Sequence, residues 1–182
     1  MRSDIENQYR QAFSRNHDQS IDELVSKYYP ELLNFLMRMG CPAADADDII
    51  QETFIKGIRS MPRSQGETIR RAWLFKVCHN NLRDHYKKAY RRRELPFDPD
   101  FITRSSSGDD NRSLDLEATM QVQAALNQLP PQQRLTVVLY YYHGFSIKEI
   151  AATAHCPSGT VKSRLHNGLQ YLKSIIKDGD EE

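Results

Sequence analysis

Between Glu94 and Glu117 the apolar repeat that runs through most of the chain stops. The stretch ELPFDPDFITRSSSGDDNRSLDLE is rich in Asp, Ser and Pro, and its seven acids against Arg104 and Arg112 leave a net charge of −5. Such a segment buries too little apolar surface to offset the entropy of ordering it. It reads as a flexible linker. A chain of 182 residues interrupted in this way is expected to form two small domains rather than one large one.

Both flanks have helical spacing. Ser20–Glu23, SIDE, is a capping-box pattern ahead of Leu24, Tyr28, Leu32, Phe35, Leu36 and Met39. Pro30 is placed to kink or divide that helix. Gly40 ends it, and Pro42 suits the first turn of the next. The second helix is expected over 43–60, with Ala46, Ile50, Phe54 and Gly57 on its apolar side. Met61–Gly66 reads as a loop. A third helix is expected from Glu67 to about Arg93. After the linker the pattern predicts helices over Asp115–Gln128, Pro131–His143, Ser146–Ala154 and Ser158–Ile176. In the second of these Leu135, Val138, Leu139 and Tyr142 point inward, and in the last Val161, Leu165, Leu169, Leu172 and Ile176 share a face. No segment has convincing strand alternation. The expected fold class is all-α: two small helical domains joined by a flexible acidic linker.

Several function classes drop out. No apolar run approaches the ~18–20 residues of a membrane span, and MRSDIENQYRQAF lacks the apolar centre of a secretory signal, so a cytoplasmic protein without membrane insertion is expected. Cys41, Cys78 and Cys156 are odd in number and lack CxxC spacing, which fits neither a disulfide framework nor a zinc site. No Walker-type loop or dinucleotide fingerprint occurs. Asp45, Asp48 and Glu52 share a helical face, but no His, Ser or Gly-rich loop completes a catalytic site there. The chain reads as a non-enzyme without cofactor or metal, and the carboxylate face as a protein-docking or solvated surface.

The overall net charge of +1 hides strong segregation. Arg70–Arg93 holds nine Lys or Arg against Asp84, and Ala118–Lys177 six against Glu149. The first block interleaves aromatics (Trp73, Phe75, Tyr86, Tyr90) with cations, a composition suited to unpaired bases and phosphates. The second contains GFSIKEIAATAHCPSGTVKSRL. A capping box, SIKE, opens a short helix, HCPSG turns, and a second helix follows. Ile150, Ala151, Val161 and Leu165 have the spacing to pack the two together. Ser158, Thr160, Lys162, Ser163, Arg164 and Asn167 avoid that apolar face. This is a helix-turn-helix pattern whose second helix suits the major groove.

Four blocks in order, DADDIIQETFIKGIRSM, AWLFKVCHNNLRDHYKK, LNQLPPQQRLTVVLYYYHGFSIKEIA and CPSGTVKSRL, together resemble bacterial sigma factors of the extracytoplasmic-function type (group IV). The resemblance covers most of the chain outside its first ~20 residues and the linker. It implies an N-terminal extension (1–20), a region 2 domain (21–93), a linker (94–117), a region 4 domain (118–178) and a tail (179–182). It implies core RNA polymerase as partner, met at the clamp coiled coil of the largest subunit and at the flap. Asp45, Asp48, Gln51, Glu52 and Phe54 would face the clamp. Trp73, Asn80, Arg83, Lys87, Lys88 and Arg91 would recognise and melt the −10 element, with a flipped base held near Asn80. Ser158, Thr160, Lys162, Ser163, Arg164 and Asn167 would read the −35 element. An anti-sigma factor is a common further partner in the family. Asn167 and Leu169 stand where many relatives carry arginine, and His155 stands where glycine is frequent, so a left-handed backbone there would be strained. The competing readings are a free-standing helix-turn-helix regulator, which leaves the acidic face without a task, and a polymerase adaptor, which leaves CPSGTVKSRL without one.

Overall fold

A computed structural model describes residues 18–61, 66–91 and 115–179. The N-terminal extension up to residue 17, most of the expected linker, the last residues of the tail and the side chain of Arg91 lie outside the described residues. Among the described residues every regular element is helical.

Helix α1 (Asp18–Arg38) begins two residues before the Ser20 cap expected from sequence and continues through Pro30. Tyr28, Leu32, Phe35, Leu36 and Met39 form its buried stripe, the i, i+3, i+4 spacing of an amphipathic helix. Gly40 ends it in the left-handed region, at φ 82°. The Cys41 N–H reaches the Leu36 carbonyl at 2.9 Å and the Gly40 N–H that of Met37 at 3.0 Å, a Schellman closure. Helix α2 (Ala43–Ser60) follows from Pro42, and helix α3 (Glu67–Arg91) packs across it. The crossing is close at Gly57, where an added Cβ would meet Leu74 Cδ2 at 2.8 Å.

The C-terminal half begins with α4 (Asp115–Gln128) and α5 (Pro131–Val137), the latter opened by Pro131 at its first position. The expected helix to His143 is not regular: it widens into a π-helical turn over Val138–Tyr142. The Phe145 N–H bonds the Leu139 carbonyl at 3.0 Å, so the chain closes on a wider ring than an α-turn allows. That extra width rotates the last tyrosine. Leu135, Val138 and Leu139 are buried as expected, whereas Tyr142 is 39% exposed and lies under Arg38 rather than in the core. Helices α6 (Ile147–Ala154) and α7 (Ser158–Gly179) complete the half. Gly168 lets α7 approach α5, since a Cβ there would sit 3.0 Å from Val137 Cγ2.

The two halves share one continuous core. Phe35 and Phe75 of the first half stack edge-on with His143 of the second at 5.9 and 4.8 Å, and Phe75 meets Phe145 at 5.0 Å. Polar bonds frame this seam. Arg71 donates to Glu31 at 2.8 Å and to the His143 carbonyl at 2.9 Å. Arg134, wholly buried, donates to the Met39 carbonyl at 3.0 Å. Gln123 donates to the Met37 and Arg38 carbonyls at 3.2 and 3.4 Å. Carbonyls at the end of α1 thus accept from side chains of the other half.

Candidate nucleic-acid and polymerase interfaces

Where α2 crosses α3, a cavity of about 400 Å³ opens to the surface. Lys56, Arg59 and Ser60 line it from α2, and Val77, Asn80, Asn81 and Asp84 from α3. A polar network lies at its base. Thr53 Oγ1 donates to the Ile49 carbonyl at 2.7 Å and accepts from Asn81 Nδ2 at 3.1 Å. Lys56 Nζ donates to Asn81 Oδ1 at 2.8 Å and pairs with Glu52 at 2.7 Å. Asn81 is 3% exposed, so both ends of its amide need these partners. The Lys56 hydrogen bond holds the Glu52 carboxyl below the usual range, with the Lys56, Lys88 and His85 charges adding to it. The wall therefore combines two cations, one carboxylate, two amides, one hydroxyl and one apolar side chain, which suits a polar heterocycle joined to a phosphate.

The carboxylates of α2 are not all free. Asp45 lies 3.4 Å from His85, and Asp47 accepts from Tyr29 at 2.5 Å. Asp48 is exposed, Gln51 and Glu52 are partly exposed. Beneath this face the thiols of Cys41 and Cys78 are pushed up to about 12 by burial, so they act as apolar core groups.

The helix-turn-helix forms as its sequence predicts. Ser146 Oγ accepts from the Glu149 N–H at 3.3 Å, and the Ser146 N–H donates back to Glu149 at 2.7 Å. His155 ends α6 with φ 50° and ψ 47°, the left-handed conformation expected of it. The Cys156 N–H then reaches the Ala151 carbonyl at 3.1 Å. Ile150, Val161 and Leu165 are buried between the helices, and Ala151 is packed against that cluster. Ser158, Lys162, Ser163 and Asn167 are exposed along α7, while Thr160 and Arg164 are partly buried. Arg164 donates to Cys156 Sγ at 3.4 Å, which ties it to the turn.

Two family models match this architecture, Sigma-70 region 2 over residues 24–92 and Sigma-70 region 4 over residues 119–172. The chain is similar to the ECF RNA polymerase sigma factor SigE of Mycolicibacterium smegmatis, at 34% identity over 90% of this chain and 64% of that protein's length. It is also similar to the ECF RNA polymerase sigma factor EcfG of Rhodopseudomonas palustris, at 31% identity over 84% of this chain and 83% of that protein. The chain belongs to the ECF RNA polymerase sigma factors. It is an alternative sigma factor with regions 2 and 4. Its fold matches the sigma factor RpoE solved with the anti-sigma factor NepR from Bartonella quintana, at TM-score 0.69 and 24% identity over 87% of this chain and 98% of that one.

Within this sigma factor, region 2 brings together Asn80 and the α2 residues Lys56, Arg59 and Ser60, which the sequence reading did not single out. Their signal was present: Glu52 and Lys56 stand four apart on a helix, and Arg59 continues the same side. Arg83, Lys87 and Lys88 are exposed on α3 outside the cavity. Trp73 is partly buried, with Lys76 5.4 Å above its ring. One expectation fails. Phe54 is 1% exposed and belongs to the core of region 2. It falls on the apolar side of α2 with Ile50 and Gly57, so its side chain cannot meet polymerase in this arrangement. In region 4 the six expected reader residues share α7. The two regions also meet directly, because α3 packs on α6. His79 of α3 is pushed down to about 4 by burial, with Arg83 and His155 of the helix-turn-helix adding to it.

Proposed function

We propose that this sigma factor docks on core RNA polymerase through the α2 face around Asp48, Gln51 and Glu52, with Asp45 at its edge. It reads and opens the −10 element at the α2–α3 cavity and reads the −35 element with α7. The observation that carries this reading is the cavity. It lies on the same helix pair as the acidic face, and it combines cations for phosphate with paired amides for a base edge. Extruding a base costs a few kcal/mol of stacking and pairing, and a polar pocket recovers part of it. Arg83, Lys87 and Lys88 would hold the adjoining backbone.

Boundaries of 21–93 and 118–178 for the two regions, and a placement in group IV, accord with a chain that matches regions 2 and 4. No helix among the described residues is long and apolar enough to cross a membrane; the cytoplasm is proposed because core RNA polymerase is the proposed partner. The function proposed is binding without catalysis. The flap is the further polymerase contact for region 4. An anti-sigma factor, as NepR is to RpoE in the solved relative, is the proposed regulatory partner.

The test is run-off transcription with core polymerase on a library of genomic promoters. Promoter-dependent initiation is expected only when chain and core are both present. Tight, specific duplex binding by the chain alone, without initiation on adding core, would replace this reading with a free-standing regulator.

A further inference from the structure

We propose that Lys56 couples polymerase docking to the base cavity, switching between Glu52 on the docking face and nucleic acid in the pocket. The inference rests on the reading above, which places polymerase at Glu52 and a base beside Asn81. Lys56 stands between the two. Its ammonium pairs with Glu52 at 2.7 Å and donates to Asn81 Oδ1 at 2.8 Å. The Lys56 and Glu52 side chains keep 49% and 43% of their surface exposed, so both can be reached from outside. The other end of the Asn81 amide is fixed on Thr53. The amide therefore stays in place when Lys56 leaves.

In the free chain the Glu52 carboxylate neutralises one of the two cations that line the cavity. A basic residue of polymerase that takes Glu52 returns that charge to the pocket. The freed ammonium turns to a phosphate or a base, and Asn81 Oδ1 is uncovered as an acceptor for an exocyclic amine. Docking thus raises the positive charge of the cavity by one and exposes one base-reading atom. Lys56 acts as a positioning residue for Asn81 and as a charge delivered only on assembly.

Glu52→Gln imitates the neutralised carboxylate and allows a test on the full chain without polymerase. Binding of a fluorescein-labelled, random-sequence single-stranded oligonucleotide is measured by anisotropy across a salt series. One added phosphate contact steepens the dependence of log K on log salt by about 0.7. Over a fourfold fall in salt, Glu52→Gln is then expected to gain roughly threefold more affinity than the parent chain. In a Lys56→Met background the same substitution is expected to change nothing, because the charge it releases is gone. An equal Glu52→Gln gain with Met at position 56 would mean general surface electrostatics and would overturn the coupling. So would an unchanged slope in Glu52→Gln. If neither the chain nor its complex with core polymerase binds single strands, the cavity reading itself falls and the coupling with it. Urea midpoints of each variant separate a misfolded chain from a negative result.

Discussion

Acid should loosen the seam between the two regions, and the share due to His143 can be isolated. Its ring is 8% exposed, stacked between Phe35 and Phe75. Burial, with Arg71 and Arg38 close by, pushes its imidazole from 6.5 down to about 4. The folded chain holds this ring neutral, while the unfolded chain protonates it at ordinary acidity. Between these two values the unfolded state binds more protons, so stability rises with pH. The contribution is fully present above 6.5 and is lost as pH falls toward 4. Linkage with these two values gives a loss of about 2 kcal/mol between pH 7.5 and pH 5. At a urea m-value of roughly 2 kcal/mol/M for a chain this size, the midpoint falls by about 1 M. His143→Phe keeps a ring in the cluster and removes the titration. Urea denaturation of parent and variant at both pH values is the assay. The variant is expected to retain most of that 1 M. Equal losses in the two chains would refute the assignment and move the acid sensitivity to carboxylates or to His79.

Other substitutions probe separate links. Ser146→Ala removes the helix-turn-helix cap and should lower stability by about 1 kcal/mol, read from the urea midpoint. His155→Gly relieves a left-handed backbone that costs a β-carbon roughly 1–2 kcal/mol. After the added flexibility of unfolded glycine a net gain of a few tenths to 1 kcal/mol is expected, seen as a higher melting temperature. Thr53→Val leaves one Asn81 amide hydrogen without its partner in a buried site. It should cost about 1–3 kcal/mol, with weaker −10 strand binding by the complex with core polymerase. Replacing Asp48 and Glu52 together by Lys should abolish core binding in a pull-down while the helical circular dichroism is unchanged.

What the sequence discloses follows the range of the forces involved. The buried faces of α1 and α2, and Val161 and Leu165 of α7, were legible because apolar spacing is local to each helix, whereas Leu169 and Leu172 are only partly buried. The cap at Ser146 was legible from its local capping-box pattern, and the strain at His155 from the resemblance, in which glycine is frequent at that position. Tyr142 was misjudged because an extra residue in a turn cannot be seen in an apolar repeat that matches an α-helix. Phe54 carried two incompatible assignments, core and contact, and burial decides for the core. The cavity needed two helices to cross at Gly57, and no single-helix pattern specifies that crossing. Arg134 was the least legible residue. An arginine is rarely wholly buried, and one of the carbonyls that receive it, that of Met39, lies in the other half of the chain.

Arg134 and Gln123 also give the sigma factor a threshold. The end of α1 is closed by region 4 side chains, and α3, to which the −10 role is proposed, lies against the helix-turn-helix. If α3 and α7 read the elements as proposed, promoter elements two helical turns apart, roughly 34–36 Å per turn, are beyond the reach of halves packed against each other. A partner that engages both elements must first draw on the small share of molecules whose halves have parted. Its apparent affinity is weakened by that share. Each 1.4 kcal/mol held in the seam lowers the share tenfold. On the proposed roles, the bonds of the seam would then set how weakly the free chain engages a promoter.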